Sequence, residues 1–350
     1  MCVARAGASR HGGHRSHLPS KRYLITGGAG FIGSHLVEAI IARGDRVTVL
    51  DDLSTGLEAN LEGLADDRAL QFVGGSVTDA ELVDRLMAQC DCCLHLASAV
   101  GVELVVSDPL HTLRQIVRGT DVVLAAAAVH RPRLVFFSTS EVYGKNSGTA
   151  LHEDSDRVLG SASKSRWSYA IAKSYGESLA HGYHLQHGTD TVVVRLFNTI
   201  GPRQRASYGM VVPRFVQRAI TGEDLLVYGD GSQSRCFLHV ADAVAAILAV
   251  CEQPAASGRA FNIGNPDPIT ILELAKRVLE LSGSDSGISL IPYDQAYGEG
   301  FEELGRRSPD ITAVSELTGW RPRHTLDEAL ADVVSFQRQA ADARRVRVHA

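Results

Sequence analysis

Two side chains four residues apart, Tyr169 and Lys173, offer the chemistry of a general base. On a helix these positions lie on one face, one turn apart, so the phenol and the ammonium would be neighbours. The ammonium favours the phenolate and is expected to lower the tyrosine pKa from its ordinary value near ~10. A base of this kind removes the proton of an alcohol as a hydride leaves the same carbon. By itself the pattern Tyr-x-x-x-Lys is weak evidence of a catalytic pair. The residues that precede it in the chain strengthen the prediction.

A glycine-rich turn near the start of the chain offers the other half of a redox site. Gly27, Gly30 and Gly33 form the pattern G-x-x-G-x-x-G between an apolar strand candidate at 21–26 and an amphipathic run at 34–43. Glycines permit the tight turn and let backbone amides approach a pyrophosphate, whose charge suits a helix N-terminus. The sequence therefore predicts a dinucleotide site.

Asp51 ends a second strand candidate at 46–50, about 20 residues past the glycines. A carboxylate at this place accepts hydrogen bonds from both ribose hydroxyls and repels a 2′-phosphate. We therefore expect NAD, rather than NADP, as the cofactor.

Length and charge limit the kinds of partner. At 350 residues the chain exceeds a typical single domain, which predicts two lobes with a cleft between them. Its net charge of −5 does not indicate the basic surface that nucleic-acid binding requires. No apolar stretch reaches the ~18 residues of a membrane span. We expect a small-molecule substrate, with neither a nucleic acid nor a membrane as partner.

Six cysteines are too few and too irregularly spaced for a disulfide scaffold. Cys90, Cys92 and Cys93 flank an apolar run and could suggest a metal, yet no second Cys/His pair at zinc-finger spacing follows. We interpret them as buried strand thiols, expect no metal, and favour a reducing cytoplasm as the location.

Residues 1–20 contain arginines, histidines, serines and glycines but no acid. They lack the apolar core of a secretory signal, although their composition resembles a transit peptide. The favoured interpretation is a disordered tail.

Strand and helix patterns alternate through the first half of the chain, which predicts an α/β fold. The architecture expected is a Rossmann-type doubly wound parallel sheet with a smaller interleaved C-terminal lobe. The strand candidates are 22–26, 46–50, 70–73, 92–96, 133–138 and 191–196, and the helix candidates are 31–43, 79–89, 109–129 and 166–187. Later helices are expected at 211–222, 269–282 and 326–338. The predicted domains are a cofactor domain at 21–196, rejoined by 236–263, and a substrate lobe formed by 197–235 and 264–340.

With Thr139 added to these motifs, the chain resembles the extended short-chain dehydrogenases/reductases that modify nucleotide sugars, from about Lys21 to Asp332. The matches continue in order at His95-Leu96-Ala97, Arg195-Leu196-Phe197-Asn198, Gly201-Pro202-Arg203, Tyr228-Gly229-Asp230-Gly231, Phe261-Asn262-Ile263-Gly264, Pro309-Asp310 and Gly319-Trp320. The resemblance implies that NAD stays bound and that a sugar hydroxyl, usually at C4, is oxidised. Chemistry then follows on the ketone, and the hydride usually returns.

The resemblance also implies roles for individual residues. Thr139 would hydrogen-bond the reacting hydroxyl, Tyr169 would take its proton, and Lys173 would hold the nicotinamide ribose. NAD would lie against Gly27, Gly30, Phe31, Ile32, Gly33, Asp51, Ser76, Val77, Leu96, Ala97, Tyr169 and Lys173. The nucleotide sugar would lie against Thr139, Ser140, Glu141, Asn198, Arg203, Arg214, Tyr228, Arg235 and Arg307, with Arg306 as the alternative to Arg307. Arginines suit a diphosphate because guanidinium groups bind its oxygens bidentately.

Two positions depart from the family pattern. Many members have an acid after the glycine at position 75, where it meets the adenine, but this chain has Ser76. The asparagine that often stands three residues before Gly119-Thr120 is Ile116. We expect a weaker adenine contact and a changed polar network behind Lys173.

Glu141 is the residue that discriminates between possible reactions. Simple 4-epimerases resemble the chain with small or uncharged residues there, whereas a carboxylate helps when C5 must lose a proton or a carboxylate group. Dehydratases of dTDP-sugars have Asp-Glu where this chain has Ser140-Glu141, so the acid that expels the C6 hydroxyl is missing. GDP-mannose dehydratases do show Thr-Ser-Glu.

UDP-glucuronate decarboxylases resemble the chain at 138–144 and again at Arg235-Cys236-Phe237. Oxidising C4 makes the C6 carboxylate part of a β-keto acid, which loses carbon dioxide without a strong base. The protein must then position the substrate, stabilise an enolate and reprotonate C5. The sequence favours a UDP-glucuronate decarboxylase, and a UDP-sugar 4-epimerase or a 4,6-dehydratase remains open.

A non-catalytic NAD-binding regulator is disfavoured because the Thr139, Tyr169 and Lys173 set is complete. The resemblance further implies a homodimer through the helices near 109–129 and 166–187. The run 122–129 is apolar and rich in small residues, as packed helix faces are.

Overall fold

A seven-stranded sheet organises the protein. The structure is a computed structural model, and it describes residues 20–98, 108–146, 148, 150–206, 209–292 and 306–348. The strands of the described chain are β1 Arg22–Thr26, β2 Arg46–Asp51, β3 Leu70–Gly74, β4 Cys92–His95, β5 Arg133–Thr139, β6 Thr191–Leu196, β7 Thr199–Ile200, β8 Leu225–Tyr228, β9 Ser234–Cys236, β10 Leu238–His239, β11 Ala260–Ile263, β12 Pro268–Thr270, β13 Ile288–Ile291 and β14 Arg306–Arg307. The strand order of the seven-stranded sheet is β11-β6-β5-β4-β1-β2-β3, and every neighbouring pair is parallel. The predicted Rossmann-type α/β fold is confirmed. The predicted tail at 1–20 lies outside the described residues apart from Ser20.

Helices connect these strands, and local capping defines several of their ends. The α-helices are α1 Phe31–Ala42, α2 Ala80–Met87, α3 Pro109–His130, α4 Trp167–His187, α5 Val211–Thr221, α6 Val240–Cys251, α7 Ile271–Ser282, α8 Thr312–Thr318 and α9 Leu326–Val348, with 3₁₀ turns at Glu58–Leu64, Ser140–Tyr143 and Pro254–Ala256. Asp79 caps α2 by accepting from the Leu82 amide, and Gly188 ends α4 in the left-handed conformation. Helix α9 runs ten residues beyond the predicted end at 338, because the residues that follow include neither Gly nor Pro. No helix of the described chain has both the length and the apolarity to cross a bilayer.

Both faces of the sheet are buried, which explains the nearly continuous apolar runs of its strands. Neighbouring residues of β1 point to opposite faces. Ile25 joins a core cluster with Leu36 of α1 and Ile247 of α6, and Leu24 joins one with Val123 of α3.

A separate hydrophobic cluster forms beyond the carboxyl ends of the strands. It packs α5, α7 and α9 together around buried residues that include Phe215, Leu274 and Leu330. Between these elements the chain returns to the first sheet, where β11 pairs in parallel with β6. Short sheets β10-β7, β12-β9-β14 and β13-β8 carry the remaining strands.

Candidate active site

A cavity of ≈ 440 Å³ lies where the carboxyl ends of the sheet strands face the second cluster. This is the edge at which open parallel sheets bind ligands. From the sheet side it is lined by Phe31, Ile32, Leu96, Thr139, Ser140, Glu141, Tyr169 and Lys173. From the opposite side it is lined by Asn198, Arg214, Tyr228, Arg235 and Arg307. Residues predicted for cofactor, catalysis and substrate thus meet in one cavity.

The glycine turn leaves no room for side chains. Gly27 has φ +75°, and a Cβ atom built on Gly33 would lie only 2.3 Å from the Gly27 carbonyl oxygen. Gly30 occupies the N-cap of α1. These contacts bring backbone amides to the helix N-terminus, as a pyrophosphate site requires.

The predicted ribose ligand, Asp51, is buried at the end of β2 beside this turn. Its Oδ2 accepts from the Ala29 amide and its Oδ1 accepts from the Leu53 amide, both at 2.9 Å. Burial raises the Asp51 pKa, although these two backbone hydrogen bonds oppose the rise. Each carboxylate oxygen keeps a second lone pair for a hydroxyl.

The remaining predicted cofactor residues lie on neighbouring strand ends and loops. The Ser76 hydroxyl is 2.9 Å from the Thr78 hydroxyl, and Val77 packs against Gly119 of α3. The Ala97 amide donates to Thr26 Oγ1. The glycine cradle, the buried carboxylate and the cavity that reaches Tyr169 together fit NAD.

Lys173 and Tyr169 share one face of α4, but their protonation differs from the expectation. Lys173 Nζ donates to the Phe137 carbonyl at 2.8 Å and lies 5.9 Å from the centre of the Tyr169 ring. Burial lowers the Lys173 pKa to about 7, and the Glu177 charge partly opposes this. Burial, followed by the Glu141 charge, raises the Tyr169 pKa. The expected lowering of the tyrosine pKa is therefore wrong, because desolvation of the phenol dominates.

Glu141 lies in the 3₁₀ turn after β5, where Thr139 Oγ1 accepts from its amide at 3.2 Å. Its Oε1 accepts from Arg307 Nη1 at 2.6 Å, and its Oε2 lies 3.7 Å from Arg166 Nη2. Burial by itself would raise the Glu141 pKa, but the charges of Arg307, Arg166 and Arg235 outweigh it and hold that pKa below its ordinary value. Glu141 is therefore a carboxylate at neutral pH.

Arg166 is a charged residue of the site that the sequence did not indicate. It is the N-cap of α4, one turn before Tyr169, and it lines the cavity. The available signal was its spacing, because residues i and i+3 share a helix face.

Arg203, predicted to contact the substrate, lies away from the described lining of the cavity. Its guanidinium forms an ion pair with Glu38 and a 3.2 Å hydrogen bond to the Ser34 hydroxyl, both on α1. The ion pair with Glu38 holds the Arg203 side chain against α1. The local sequence does not reveal this contact. The next residue, Gln204, lines the cavity instead.

Other predicted substrate residues are tied to neighbouring elements. Asn198 Nδ2 donates to the Cys236 carbonyl at 3.1 Å, and the Arg214 guanidinium hydrogen-bonds the Tyr228 hydroxyl. Strand β14 pairs with β9 so that Arg307 stands opposite Arg235. The side chain of Arg306, the alternative to Arg307, lies outside the described residues.

The interpretation of the cysteines as buried strand thiols is confirmed for two of the three and is wrong for Cys90. Cys92 and Cys93 are buried in β4, and Cys90 is half-buried before it. Within the described ranges, no group of three or more His, Cys, Asp or Glu side chains is arranged to hold a metal ion.

Comparisons with known proteins agree with this geometry. The NAD dependent epimerase/dehydratase family matches residues 23–264. A UDP-N-acetyl-alpha-D-glucosaminuronate decarboxylase from Bacillus cytotoxicus is 40% identical over 320 residues, covering 91% of this chain and 98% of the relative. UDP-glucuronic acid decarboxylase 1 from Xenopus tropicalis is 34% identical over 326 residues, covering 93% and 74%.

Solved structures show the same fold with related ligands. A dTDP-glucose 4,6-dehydratase from Streptomyces venezuelae, with NAD bound, superposes with TM-score 0.82 at 31% identity, covering 91% of this chain and 97% of that one. A UDP-glucose 4-epimerase from Thermotoga maritima, with UDP-glucose, gives TM-score 0.81 at 30% identity, covering 91% and 99%. The chain is an enzyme of the NAD-dependent epimerase/dehydratase family.

Proposed function

We propose that the protein decarboxylates a UDP-hexuronate through a transient 4-keto sugar. The observation that carries this proposal is Glu141, held as a carboxylate by Arg307 and Arg166 in the cavity that Thr139 and Tyr169 share. Two relatives named as decarboxylases of such sugars support it.

NAD would be held by the glycine turn, Asp51, Phe31, Ile32 and Leu96. When bound, it accepts the hydride of the sugar C4 carbon and later returns it. Thr139 and Tyr169 orient the C4 hydroxyl, and Tyr169 takes its proton as the hydride leaves. Because burial raises the Tyr169 pKa in the protein alone, this role requires the positive charges of Lys173 and of bound NAD to favour the phenolate in the complex. Lys173 supports this wall of the cavity through its hydrogen bond to Phe137.

Once C4 is a ketone, the C6 carboxylate is β to it and the C5–C6 bond breaks. The electron pair of that bond moves to the C4 oxygen as an enolate, and carbon dioxide leaves. Hydroxyl groups of Thr139 and Tyr169 can donate to the enolate oxygen. Because Glu141 is ionised, it cannot itself supply the proton that C5 needs. We propose that it accepts a hydrogen bond from a water that protonates C5, and that the hydroxide left behind takes a proton from solvent.

A dehydratase would need an acid to expel the C6 hydroxyl. Ser140 stands at the position that the resemblance to dTDP-sugar dehydratases gives to that acid, and a buried serine hydroxyl cannot serve as one. In dehydratases with Thr-Ser-Glu the glutamate is the remaining candidate, but the arginines beside Glu141 lower its pKa and keep it ionised here. A 4-epimerase needs no carboxylate at position 141. The position of Glu141 beside Thr139 therefore favours decarboxylation.

Product masses test the proposal. The protein is incubated with NAD and, separately, UDP-glucuronate, UDP-N-acetylglucosaminuronate, UDP-glucose and UDP-N-acetylglucosamine. We expect carbon dioxide to be lost from at least one hexuronate. Loss of water from a hexose, or isomerisation without change of mass as the sole reaction, would overturn the proposal. Tyr169→Phe is the matched inactive control.

We further propose a homodimer through α3 and α4. Apolar or aromatic side chains are exposed on these helices at Leu110 (57%), Ile171 (39%) and Tyr175 (40%). Light scattering on Ile171→Asp should show a monomer. The control Leu290→Asp, which changes an exposed leucine in β13, should leave the dimer intact. A monomeric wild-type protein would contradict the proposal.

A cytoplasmic location is also our proposal. It is supported by free thiols at Cys90, Cys92, Cys93 and Cys251. Fractionation of cells that produce the chain tests it, and recovery in an oxidising compartment would refute it.

A further inference from the structure

The charges in the cavity point to a substrate with more than a diphosphate. Among the described residues of the lining, four arginines (Arg166, Arg214, Arg235 and Arg307) and Lys173 are the basic side chains, and Glu141 is the acidic one. The arginines alone exceed Glu141 by three positive charges, and a protonated Lys173 adds to this surplus, whereas a nucleoside diphosphate sugar brings about two negative charges at the bridging phosphates. An additional carboxylate on the sugar would match the surplus.

Arg166 is the arginine placed to meet that carboxylate. Its side chain is only 9% exposed, and its guanidinium carbon lies 5.7 Å from the centre of the Trp167 ring. Because Arg166 precedes Tyr169 by one helical turn, the two Cβ atoms are about 5–6 Å apart. The sugar C6 lies two carbon–carbon bonds from C4, so a C4 atom at the Tyr169 hydroxyl brings C6 near this arginine.

Arg166 and Arg307 contact Glu141 differently. Arg307 makes a 2.6 Å hydrogen bond, whereas the 3.7 Å separation of Arg166 Nη2 from Glu141 Oε2 exceeds hydrogen-bond length. A second carboxylate beside Glu141 would be repelled unless a cation lies with both. A planar guanidinium can serve two carboxylates at once through its several N–H groups.

We infer that Arg166 determines specificity by binding the C6 carboxylate of a hexuronate and so selecting it over the corresponding hexose. This inference rests on the proposed function. A hexose carries an uncharged hydroxymethyl group at C6, and it gains little from a guanidinium at that place.

The contact should act on binding more than on the rate. As the C5–C6 bond breaks, negative charge moves from the carboxylate to the C4 oxygen, so the ion pair with Arg166 weakens toward the transition state. An interaction that is not stronger in the transition state lowers KM without raising kcat.

The test compares wild type with Arg166→Gln and Arg166→Lys. We expect Arg166→Gln to raise KM for UDP-hexuronate decarboxylation about 10- to 100-fold and to change kcat by less than about 3-fold. Calorimetric Kd values for UDP-glucose should stay within about 2-fold of wild type. Arg166→Lys keeps the charge but lacks the planar guanidinium, so its KM for the hexuronate should lie between those of wild type and Arg166→Gln. The control Arg214→Gln, on the opposite wall, should weaken hexuronate and hexose alike.

Equal weakening of both sugars in Arg166→Gln, or an unchanged KM for the hexuronate, would overturn the inference. If Arg166→Gln fails to fold, Arg166→Lys decides the question by the same ratio of hexuronate to hexose binding. A wild-type protein that releases carbon dioxide from no UDP-hexuronate refutes the proposed function instead. The calorimetric preference for UDP-glucuronate over UDP-glucose then tests Arg166 separately.

Discussion

Glu141 and Glu177 are both glutamates beside two arginines, but their surroundings differ. Glu177 is buried on α4, where the Ser138 hydroxyl, Arg157 and Arg195 hydrogen-bond its two oxygens. Arg195 alone donates from Nη2 at 2.7 Å and from Nε at 3.0 Å. Both oxygens of the Glu177 carboxylate thus accept two hydrogen bonds or more from protein donors.

Glu141 has one short hydrogen bond and one longer ion pair, and 29% of its side chain is exposed to the cavity. A fully bonded buried network fixes a structure, whereas a partly bonded one keeps capacity for a ligand. The comparison teaches that the number of protein donors, rather than the residue types, separates a structural carboxylate from one available for chemistry.

The largest effect is expected from Glu177→Gln. Removing this charge leaves Arg195 buried without its ionic partner, which should cost about 3–5 kcal/mol of unfolding free energy. Urea denaturation measures the loss. A variant as stable as wild type would break the comparison, because Glu177 would then not be structural.

Glu141→Gln should have the opposite profile. We expect decarboxylation to fall about 100- to 1,000-fold, because the proton path to C5 is lost. Stability should fall by about 1–2 kcal/mol, less than in Glu177→Gln, because the buried Arg307 loses its ionic partner but can still donate to the amide oxygen. Activity assays and melting curves on the same sample test both halves. Near-normal turnover would remove Glu141 from the reaction, and extensive unfolding would make it structural like Glu177.

Lys173→Met probes the buried lysine that lies on α4 one turn after Tyr169 and one turn before Glu177. Burial holds the Lys173 pKa at about 7, below the ordinary 10.5, so the unfolded chain binds more protons between these values. The cost of burying the ammonium is therefore complete below about pH 7 and disappears as pH rises toward 10.5. We expect the variant to be more stable than wild type by ~2 kcal/mol at pH 6, after loss of the bond to Phe137.

The gain in Lys173→Met should shrink with rising pH in denaturation experiments on the protein without substrate. The exposed lysine control, Lys276→Met, should show no such trend. A constant gain across pH would mean that apolar packing, and not charge burial, causes it.

The smallest effect is expected from Tyr143→Phe, which changes a tyrosine bonded to Arg195, the partner of Glu177. The Tyr143 hydroxyl donates to Asn262 Oδ1 at 2.7 Å and accepts from Arg195 Nη1 at 2.8 Å. Its loss should cost ~1 kcal/mol of stability and leave kcat near wild type. A large loss of kcat would show that the hydrogen bonds around Glu177 and Arg195 are coupled to the reaction at Glu141.

Local patterns predicted much of this molecule. Period and turn residues located β1, α1 and the glycine turn between them, because each depends on residues near in the chain. The spacing of Tyr169 and Lys173 placed both on one helix face for the same reason. The cavity lining contains most of the residues named for the substrate.

Contacts between distant residues were not predictable. Arg307 is 166 positions from Glu141, and Arg203 is 165 positions from Glu38, so no single-sequence pattern reveals either ion pair. The sign of the Tyr169 pKa shift also escaped, since desolvation depends on the whole surrounding fold.

The two-residue strand β14 has a consequence for synthesis of the protein. It aligns Arg307 with Arg235, and it follows both the glycine turn and the Tyr169 helix in the chain. A nascent chain can complete the glycine turn and the Tyr169 helix well before residue 307 leaves the ribosome. Competence for the reaction therefore arrives late in translation, after the dinucleotide half of the pocket can already fold.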